Sequence, residues 1–523
     1  KILAQTAKGV EENHVFVELV QDPKEWMAGE ALPVLGLDTE ISELVDSSGL
    51  DESQKNVIKR VLSTESGKLT VCHGPPGTGK TQVIVQLMMM AADLACKSGK
   101  KLRILYMAAT NNPLDDGLKK VQQALKRKGG LATKVKAAKL RSQLPIGNHK
   151  VVIMFATPYK AATLFERSMH KVDLLIVEEA SQLPVTMGIL GLAQLKPEGR
   201  LLVVGDHKQL PPVLSCKPIE PAAVPLATSL LECVVRNDNN EPFLVSEPKV
   251  GDSKCDYLLS LKTNYRTNKV LGHFHAEHYT NYQNANGLSD NDGQLWDDNL
   301  LASGLDSSVV GVKLSQEIAA TPEAAAAAEA KAVVQVVSSI AAAATASLKG
   351  EIMIVTPFRA QRAKVLAELK AAGSTDDFKW LGEVVDTAEV TQGREAALVI
   401  VCCAFTAEYM ARRAEFVYSV RRLNVATSRA KRKVVVIFTD ALLKPPLQSL
   451  VKKDTQDGHA YISRLLRSGS VVDAENLESL PAGRKITLDR SRKRSREDGE
   501  WDDADADADD SWVAGPSLKR SKP

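Results

Sequence analysis

The sequence lacks the patterns that mark disulfide-stapled, zinc-binding and membrane-spanning proteins. Seven cysteines occur in 523 residues, with no Cys-x-x-Cys pair and no Cys/His zinc spacing. Most of them lie in apolar strand-like runs, where a cysteine is usually a small core residue, and this pattern indicates a reducing compartment. No apolar run approaches the roughly 18 residues that span a membrane, and no signal peptide is recognised, so we expect no membrane partner.

An excess of charge of one sign is also missing, because the formal net charge is only +3. The distribution of charge along the chain, rather than its sum, therefore has to indicate partners. With 44% hydrophobic and 25% charged residues, the composition is that of a globular protein, and the length predicts roughly three domains. Because the first residue is Lys1 rather than methionine, we expect a fragment of a longer protein.

The strongest motif is a glycine-rich segment that fits the pattern Gly, four residues, Gly-Lys-Thr. The apolar run 69–72 before it is typical of a strand, and apolar residues at helical spacing follow it. The glycines let backbone N–H groups close around phosphate oxygens at a helix N-terminus. We expect Lys80 to reach the β- and γ-phosphates of a nucleotide and Thr81 to hold Mg²⁺. This phosphate loop consists of Gly74, Pro75, Pro76, Gly77, Thr78, Gly79, Lys80 and Thr81.

Short apolar runs alternate with helical stretches, which predicts parallel sheets covered by helices on both faces. Four runs in the first half end in polar residues, and ligands of such sheets bind at the carboxyl ends of strands. These polar ends are Thr110–Asn112, Thr157, Glu178–Glu179 and Gly205–Gln209. A second series of strands and helices begins near Tyr257, so we expect two α/β units in tandem.

Two adjacent carboxylates, Glu178 and Glu179, follow one of these buried strands. ATP hydrolysis needs one carboxylate near Mg²⁺ and a second that positions or deprotonates the attacking water. The segment 205–212 offers a sensor of the γ-phosphate, and Arg266 and Arg429 of the second half offer positive charge for the transition state. Arginines from a separate lobe would make hydrolysis depend on closure of the two lobes.

Gln54 lies in a capped amphipathic helix just before the strand of the phosphate loop. Its amide carries a donor and an acceptor, which suits the edge of an adenine base. A solvent-facing helix glutamine is the alternative, and the residue taken alone favours that alternative.

Blocks of one-signed charge occur in two places. Between Leu118 and Lys150 there are ten Lys/Arg and no Asp or Glu, which favours a polyanion partner over a solvated helix face. From about Gly469 the periodicity is lost, and a basic cluster at 490–496 and an acidic run at 502–510 predict a disordered tail. The basic cluster fits a nuclear import signal, with non-specific polyanion contact as the alternative, and we expect a protein of the nucleus, with the cytoplasm as an additional location left open.

Seven motifs, in this order, resemble those of superfamily 1 helicases in the 5′-to-3′ branch that contains the nonsense-mediated-decay helicase and senataxin. They are GPPGTGKT, EEASQ, GDHKQLPP, NYR, VTPFRAQ, VDTAEVTQGRE and RLNVATSRAK. The resemblance runs from about Gln54 to about Phe438. It implies an α/β fold of two tandem RecA-like domains of the P-loop NTPase class, with ATP between them and single-stranded nucleic acid across both.

The resemblance also implies roles for individual residues. Glu179 would be the catalytic base, and Glu178 would hold Mg²⁺ together with Thr81. At the adenine of the nucleotide would be Gln54 and Tyr265. At the γ-phosphate would be Gln209, Arg266 and Arg429. Gly393 and Glu395 would lie near the nucleotide. Residues near the nucleic acid would be Thr110, Asn111, Thr157, Pro357, Asp386 and Thr387. For the first four of these, a purely structural polar turn is the alternative.

One position departs from the family, which commonly has Asp-Glu where this chain has Glu178-Glu179. Glutamate is one methylene longer, so Glu178 would hold Mg²⁺ through a shifted water, and slow hydrolysis is an alternative outcome. The Cys/His-rich zinc domain of the decay helicase is not recognised, so protein partners are not predicted.

These patterns together predict the organisation and the function. The segments are an accessory end at 1–50, RecA-like domain 1 at 51–215, a connector at 216–255, RecA-like domain 2 at 256–450 and a C-terminal extension at 451–523, disordered from about 469. We expect a monomeric ATP-dependent helicase or translocase that uses ATP and Mg²⁺ and moves 5′ to 3′ on single strands, RNA rather than DNA. The alternatives are a nucleotide-gated RNA/DNA clamp with little turnover and an ATPase unrelated to nucleic acid.

Overall fold

Two parallel sheets, each covered by helices on both faces, form two RecA-like α/β domains in tandem. The fold predicted from the alternating apolar runs is therefore confirmed. The computed structural model describes residues 37–63, 68–140, 149–167, 171–213, 228–235, 257–285, 305, 307–315, 321–343, 350–372 and 384–477.

Domain 1 begins with two helices that pack together and onto the first sheet, α1 (Asp38–Asp46) and α2 (Glu52–Leu62). Asp51 caps α2 by accepting from the Gln54 backbone N–H, and the Gln54 side chain accepts from the Asp51 backbone in return. This reciprocal capping box fixes the start of the helix. The sequence predicted this helix and its cap.

The first sheet has seven parallel strands in the order β3-β4-β2-β5-β6-β1-β7. Its central strands are fully buried because helices cover both faces, which explains their near-continuous apolar sequences. The remaining elements of this domain are β1 (Leu69–His73), α3 (Lys80–Lys97), β2 (Leu102–Ala108), α4 (Asn111–Arg127), α5 (Gly129–Ala132), β3 (Val135–Lys139), β4 (Val151–Ala156), α6 (Pro158–Arg167), β5 (Val172–Glu178), α7 (Val185–Leu192), β6 (Leu195–Gly205), α8 (Leu230–Val234) and β7 (Leu258–Ser260).

The segment after β7 lies between the two sheets. It consists of the paired short strands β8 (Thr263–Asn264) and β9 (Gln283–Asn284) and the helix α9 (Lys269–Ala276) between them. Because β7 pairs with β1, the first sheet includes residues 258–260, which lie just past residue 256, where the second domain was expected to begin. The domain boundaries themselves stay predictions, since an apolar run does not reveal which sheet its strand joins.

The second sheet has six parallel strands in the order β12-β11-β13-β14-β10-β15. Its elements are β10 (Val309–Leu314), α10 (Pro322–Ala343), β11 (Ile352–Thr356), α11 (Arg359–Ala372), β12 (Val385–Thr387), β13 (Ala396–Cys403), α12 (Ala407–Val417), α13 (Val420–Thr427), β14 (Ala430–Thr439), α14 (Asp440–Leu443), α15 (Lys453–Arg467) and β15 (Ser470–Asp473), with short 3₁₀ turns at Leu447–Leu450 and Ala474–Asn476.

The C-terminal elements correct the predicted end of the domain. Helix α15 buries Ile462 and Leu465 in the core of the second domain, and β15 pairs with β10 along residues 470–473. The expected disorder from about 469 is therefore wrong as far as 477, because two apolar residues of a short edge strand give no periodic signal. The charged clusters at 490–496 and 502–510 lie outside the described residues.

Helix α10 is long and apolar enough to span a membrane by length and composition, over Pro322–Ala341. Its apolar face, which includes Val333, Val336 and Ile340, is instead buried in the core of the second domain. Glu329 on the same helix is buried and hydrogen-bonded, which suits a helix inside a protein core. We had expected no apolar run of membrane length. Helix α10 reaches that length because its many alanines raise its mean hydropathy.

Candidate active site

The phosphate loop connects β1 to the first turn of α3. Gly77 and Gly79 have φ angles of 77° and 81°, a left-handed conformation that glycine adopts at little cost. A Cβ atom on Gly74 would lie 2.4 Å from Cγ of Lys80, so a side chain there would displace the lysine. Lys80 Nζ donates to the Gly74 carbonyl at 2.6 Å, so the side chain folds back over the phosphate loop.

The first carboxylate, Glu178, ends β5 directly beside the start of α3. Thr81 Oγ1 donates to Glu178 Oε1 at 2.8 Å, and the Tyr106 hydroxyl donates to the other carboxylate oxygen. Burial, with the charge of Glu179 as a second cause, raises the pKa of Glu178 to about 8. Adjacent hydroxyl and carboxylate oxygens fit the preference of Mg²⁺ for hard oxygen ligands, so Thr81 and Glu178 could hold that ion.

The second carboxylate, Glu179, is held in an unusual backbone conformation. Its φ angle is 52°, which is rare for a residue with a Cβ atom and is typical of strained functional sites. Gln392 Nε2, from the second domain, donates to Glu179 Oε2 at 3.3 Å and to Gln209 Oε1 at 3.1 Å. Gln392 thus connects the expected catalytic base to the expected γ-phosphate sensor.

The two predicted arginines approach from the side of the second domain. Arg429 Nη2 lies 3.4 Å from Gln209 Oε1, and the guanidinium is buried. Burial, followed by repulsion from Arg266, lowers the pKa of Arg429 to about 10, which leaves the side chain charged at neutral pH. Arg266 forms an ion pair with Glu395 at 2.7 Å, and Lys431 approaches the same carboxylate at 2.8 Å.

These side chains surround one cavity of about 400 Å³ at the junction of the two domains. Positive side chains lie on both of its walls, which suits the phosphates of a nucleotide. Its lining residues are Pro76, Gly77, Thr78, Gly79, Lys80, Thr81, Gln82, Lys120, Glu178, Glu179, Gln209, Tyr265, Arg266, Gly393, Glu395, Arg429 and Lys431. Of the residues expected at the nucleotide, the cavity lining includes all but Gln54, Gly74 and Pro75.

Gln54 and Tyr265 lie together at one end of the phosphate loop. Gln54 is buried rather than solvent-facing, and its Nε2 donates to the Thr78 carbonyl at 3.0 Å. Tyr265 is 48% exposed, its hydroxyl donates to Asp51 at 2.8 Å, and its backbone N–H donates to the Gly77 carbonyl. The amide of Gln54 is therefore engaged by the protein, whereas the ring of Tyr265 is accessible for stacking.

Sequence reasoning missed several residues of this site. Gln392 belongs to a motif that was recognised, yet its contacts with Glu179 and Gln209 depend on how the domains meet. Tyr106 lies within an apolar strand, where a tyrosine resembles any other core residue. Lys431 follows Arg429 by two residues, and this short spacing was the available signal.

The residues expected at nucleic acid follow the carboxyl ends of neighbouring strands. Thr110 and Thr157 follow β2 and β4, which are paired, and Thr387 ends β12 opposite Thr356, next to Pro357. Asn111 is the first residue of α4 and is exposed. Each pair of strand ends thus lies on one edge of its sheet, and contact with nucleic acid remains a prediction.

The basic stretch covers the end of α4, α5 and β3, with Arg141 outside the described residues. Most of its side chains, including Lys126, Arg127 and Lys128, are exposed. Lys120 and Lys139 pair with Asp116 and Asp115 at 2.6 and 2.7 Å, so the charge is partly balanced by acids just upstream. The stretch remains predominantly basic.

A buried polar network joins the domains behind the γ-phosphate sensor. Asp206 Oδ2 accepts from Gln209 Nε2 at 2.9 Å and from the Tyr279 hydroxyl at 2.7 Å. Asn424 Nδ2, on α13, donates to the Tyr279 oxygen at 2.6 Å and to the Lys208 carbonyl at 2.9 Å. Burial opposes the charge of Asp206, but His73 and Lys80 hold the pKa of that carboxyl well below its usual range.

Comparison with known families identifies both domains. Two family models described as AAA domains match residues 49–146 and 248–440, which together are more than half of the chain. The DNA replication ATP-dependent helicase/nuclease DNA2 of Mus musculus is 27% identical in an alignment of length 436 that covers 77% of this chain and 38% of that protein. The ATP-dependent helicase upf1 of Schizosaccharomyces pombe is 24% identical in an alignment of length 447 that covers 75% of this chain and 45% of that protein.

Solved structures align over much of the chain at lower similarity. An arterivirus nonstructural protein 10 helicase with DNA aligns at 14% identity and a TM-score of 0.36, covering 73% of this chain and 61% of that one. Dbp5 of S. cerevisiae bound to RNA and ADP BeF3 aligns at 10% identity and a TM-score of 0.42, covering 86% and 97%. The chain spans less than half the length of the curated relatives named above. By its family models and these relatives, the chain belongs to the superfamily 1 helicases.

Proposed function

We propose that this chain is an ATP-driven helicase or translocase motor on single-stranded nucleic acid. The observation that carries the proposal is the cavity whose walls combine the phosphate loop and carboxylates of domain 1 with Arg429 and Lys431 of domain 2. A nucleotide in that cavity would touch both domains at once. Binding and hydrolysis would therefore change how the domains pack, which is what a motor requires.

The residues would divide the chemistry as follows. Lys80 would leave the Gly74 carbonyl to contact the β- and γ-phosphates, and Glu179 would accept a proton from the attacking water. Mg²⁺ held by Thr81 and Glu178 would neutralise charge on the phosphate oxygens. Arg266 and Arg429 would stabilise the charge that develops in the transition state, a contribution of about 10³–10⁵ in rate for such arginines.

The proposal also covers which nucleic acid the protein moves on, the direction of movement and the cellular compartment. We propose RNA over DNA and movement from 5′ to 3′, as the resemblance of the motifs implies. The names of the relatives include both a DNA replication enzyme and a regulator of nonsense transcripts, so they favour neither polymer. Nuclear location rests on the basic cluster at 490–496, and a monomer is the simplest state for this cavity, since one chain supplies both of its walls.

Steady-state ATP hydrolysis with and without single-stranded RNA or DNA tests the proposal. We expect stimulation by at least one polymer, and Glu179→Gln should lower kcat by about 100-fold or more while nucleotide binding persists. Glu475→Gln, in the last turn of the described chain, is the matched control and should retain turnover. Equal rates with and without either polymer would contradict a nucleic-acid motor.

A second candidate is a nucleotide-gated clamp that binds single strands with little turnover. The geometry of Glu178 favours it, because its two carboxylate oxygens already accept from the Thr81 and Tyr106 hydroxyls and would have to exchange these partners to hold Mg²⁺. If the clamp is correct, the parent chain should bind strands tightly without turnover, and Glu178→Asp should raise kcat. If the motor is correct, the parent chain should turn over and Glu178→Asp should change kcat little.

A further inference from the structure

A group of metal-ligating side chains lies beside the phosphate loop and is not used by the nucleotide cavity. His73 is the last residue of β1, and Asp206 and His207 follow β6, the neighbouring parallel strand. In the register of that pair His73 lies opposite Gly205, so the three side chains emerge at the same edge of the sheet. The positions of these three side chains are therefore set by the backbone of two paired strands rather than by a long loop.

The ligand atoms are separated by distances that suit a metal ion. His73 Nε2 lies 3.0 Å from His207 Nδ1 and 3.4 Å from Asp206 Oδ1, and all three ligand atoms lie within 4.8 Å of one another. Zinc binds imidazole nitrogen at about 2.0–2.1 Å, so tetrahedral ligands are about 3.3 Å apart. A His–His hydrogen bond explains the same nitrogen separation without an ion, and the experiment below distinguishes the two.

The surroundings resemble those of a built site rather than a chance surface cluster. Asp206 is fully buried and His207 nearly so. The Tyr279 hydroxyl and the Gln209 amide both donate to Asp206 Oδ2, which fixes the carboxylate, while Oδ1 accepts from the Lys208 backbone N–H at 3.0 Å and faces His73. Such hydrogen bonds to the outer oxygen of a ligand are the usual support of protein metal sites.

An ion could reach these atoms from solvent. His207 lines a second cavity, of about 1030 Å³, which lies between the domains and is bordered by Lys208, Glu232, Arg421 and Tyr461. The His73 side chain is itself 14% exposed. The cavity therefore brings solvent to His207, and the partial exposure of His73 opens a second approach for an ion.

We propose that His73, Asp206 and His207 form a binding site for a divalent transition-metal ion of the zinc class, with one open coordination position. Two imidazoles and one carboxylate favour zinc or cobalt over magnesium, which prefers oxygen ligands. The site is thus distinct from the expected Mg²⁺ site at Thr81 and Glu178. Because Asp206 also holds Gln209, an ion bound here would fix the position of the γ-phosphate sensor.

Cobalt titration of the full chain, stripped with a chelator and kept in excess Mg²⁺, tests the site. We expect one Co²⁺ per chain with the strong visible absorption of four-coordinate cobalt, removed by added Zn²⁺. His73→Asn and His207→Asn should each weaken binding by about 100-fold or more. His273→Asn, at an exposed histidine of α9, and Thr81→Ala at the Mg²⁺ site are the matched controls and should leave the absorption unchanged.

Three results would overturn the site: only the weak absorption of six-coordinate cobalt, a band that survives both histidine substitutions, or loss of the band in Thr81→Ala. X-ray absorption of the zinc-loaded parent chain keeps the test decisive if a variant fails to fold. Two imidazole nitrogens in the zinc coordination shell would support the proposal, and none would refute it. Neither measurement requires ATP hydrolysis, so the outcome is independent of the proposed motor function.

Discussion

At the scale of single residues, Gln392 has the most informative position in the nucleotide site. Its amide donates to Glu179 and to Gln209, and both acceptors belong to the other domain. Its own Oε1 is buried without a partner among the described residues. A buried amide that lacks one of its hydrogen bonds is costly, which suggests that Gln392 is kept for its two donor contacts rather than for stability.

Gln392→Leu should therefore lower kcat for ATP by about 10-fold to 100-fold, because Glu179 would lose the donor that orients it. The KM for ATP should change by less than about threefold, since Gln392 does not line the cavity. Steady-state kinetics measure both quantities, and Val390→Ala, at a half-exposed position of the same segment, is the control. A rise in KM with kcat unchanged would assign Gln392 to binding instead.

The residues that sequence reasoning found are those whose chemistry depends on local order. The phosphate loop, Glu178 and Glu179 each follow a strand that an apolar run reveals. Tyr279 and Asn424 could not be found in this way, because their partners lie on elements far apart in sequence. Their role depends on tertiary packing that no short pattern records.

At the scale of elements, Glu329 makes the stability of α10 depend on pH. Its carboxylate accepts from the Ala404 backbone at 2.7 Å and from Gln361 at 2.8 Å. Burial raises its pKa from the ordinary value of 4.5 to about 8. The folded chain thus holds a proton that the unfolded chain releases, and the stability from this proton is fully present below pH 4.5 and is lost as pH rises through about 8.

Glu329→Gln removes this titration, so the variant should gain stability relative to the parent as pH rises from 5 to about 8.5. The difference in free energy of unfolding should change by on the order of 3 kcal/mol over that range. At pH 5 the variant should be less stable by about 1 kcal/mol, because an amide cannot accept both hydrogen bonds. Urea unfolding at several pH values measures this, with Glu323→Gln on the exposed face of α10 as the control. A pH-independent difference would show that Glu329 is ionised in the folded chain.

Helix α15 packs so closely that one glycine decides its position. A Cβ atom on Gly458 would lie 1.7 Å from the Tyr418 carbonyl oxygen, a backbone atom that cannot move alone. Gly458→Ala should therefore lower the free energy of unfolding by about 2 kcal/mol or more. Thermal unfolding measures the loss. Gly130→Ala, where nothing lies within 4 Å of the new atom, is the matched control and should be near neutral. An unchanged melting temperature in Gly458→Ala would mean that α15 is not docked.

At the scale of the whole molecule, the domains meet through buried polar contacts. Asn424 is fully buried and bonds to the Lys208 carbonyl and the Tyr279 hydroxyl, whereas Arg421 forms a partly exposed ion pair with Glu232 at 3.2 Å. Buried hydrogen bonds hold a geometry more firmly than exposed ion pairs, which contribute about 0–1 kcal/mol. The packing of the two domains against each other should therefore depend mainly on Asn424.

Asn424→Ala should lower kcat for ATP by about tenfold or more, because Asp206 and Gln209 would lose the network that aligns them with Arg429. Arg421→Ala, the matched comparison, should lower kcat by less than about threefold. Steady-state hydrolysis compares the two variants, and circular dichroism checks that both are folded. Equal losses in the two variants would mean that the ion pair holds the domains as firmly as the buried network.

The topology of the whole molecule could be predicted only in part. Alternating runs of apolar residues predicted two parallel sheets, because a strand buried on both faces has a distinctive composition. They did not reveal that β7 joins the first sheet or that β15 joins the second. Sheet membership depends on pairing between strands distant in sequence, and both strands have four residues or fewer.

The position of β15 has a practical consequence for anyone who shortens this protein. Four residues shield the backbone of β10, an apolar strand that would otherwise be the last in its sheet. Ending the chain at 469, where the sequence pattern fades, would leave that row of N–H and C=O groups unpaired and able to recruit another molecule. A cut after 477 keeps this edge covered, and it lies eight residues beyond the place that the sequence alone would suggest.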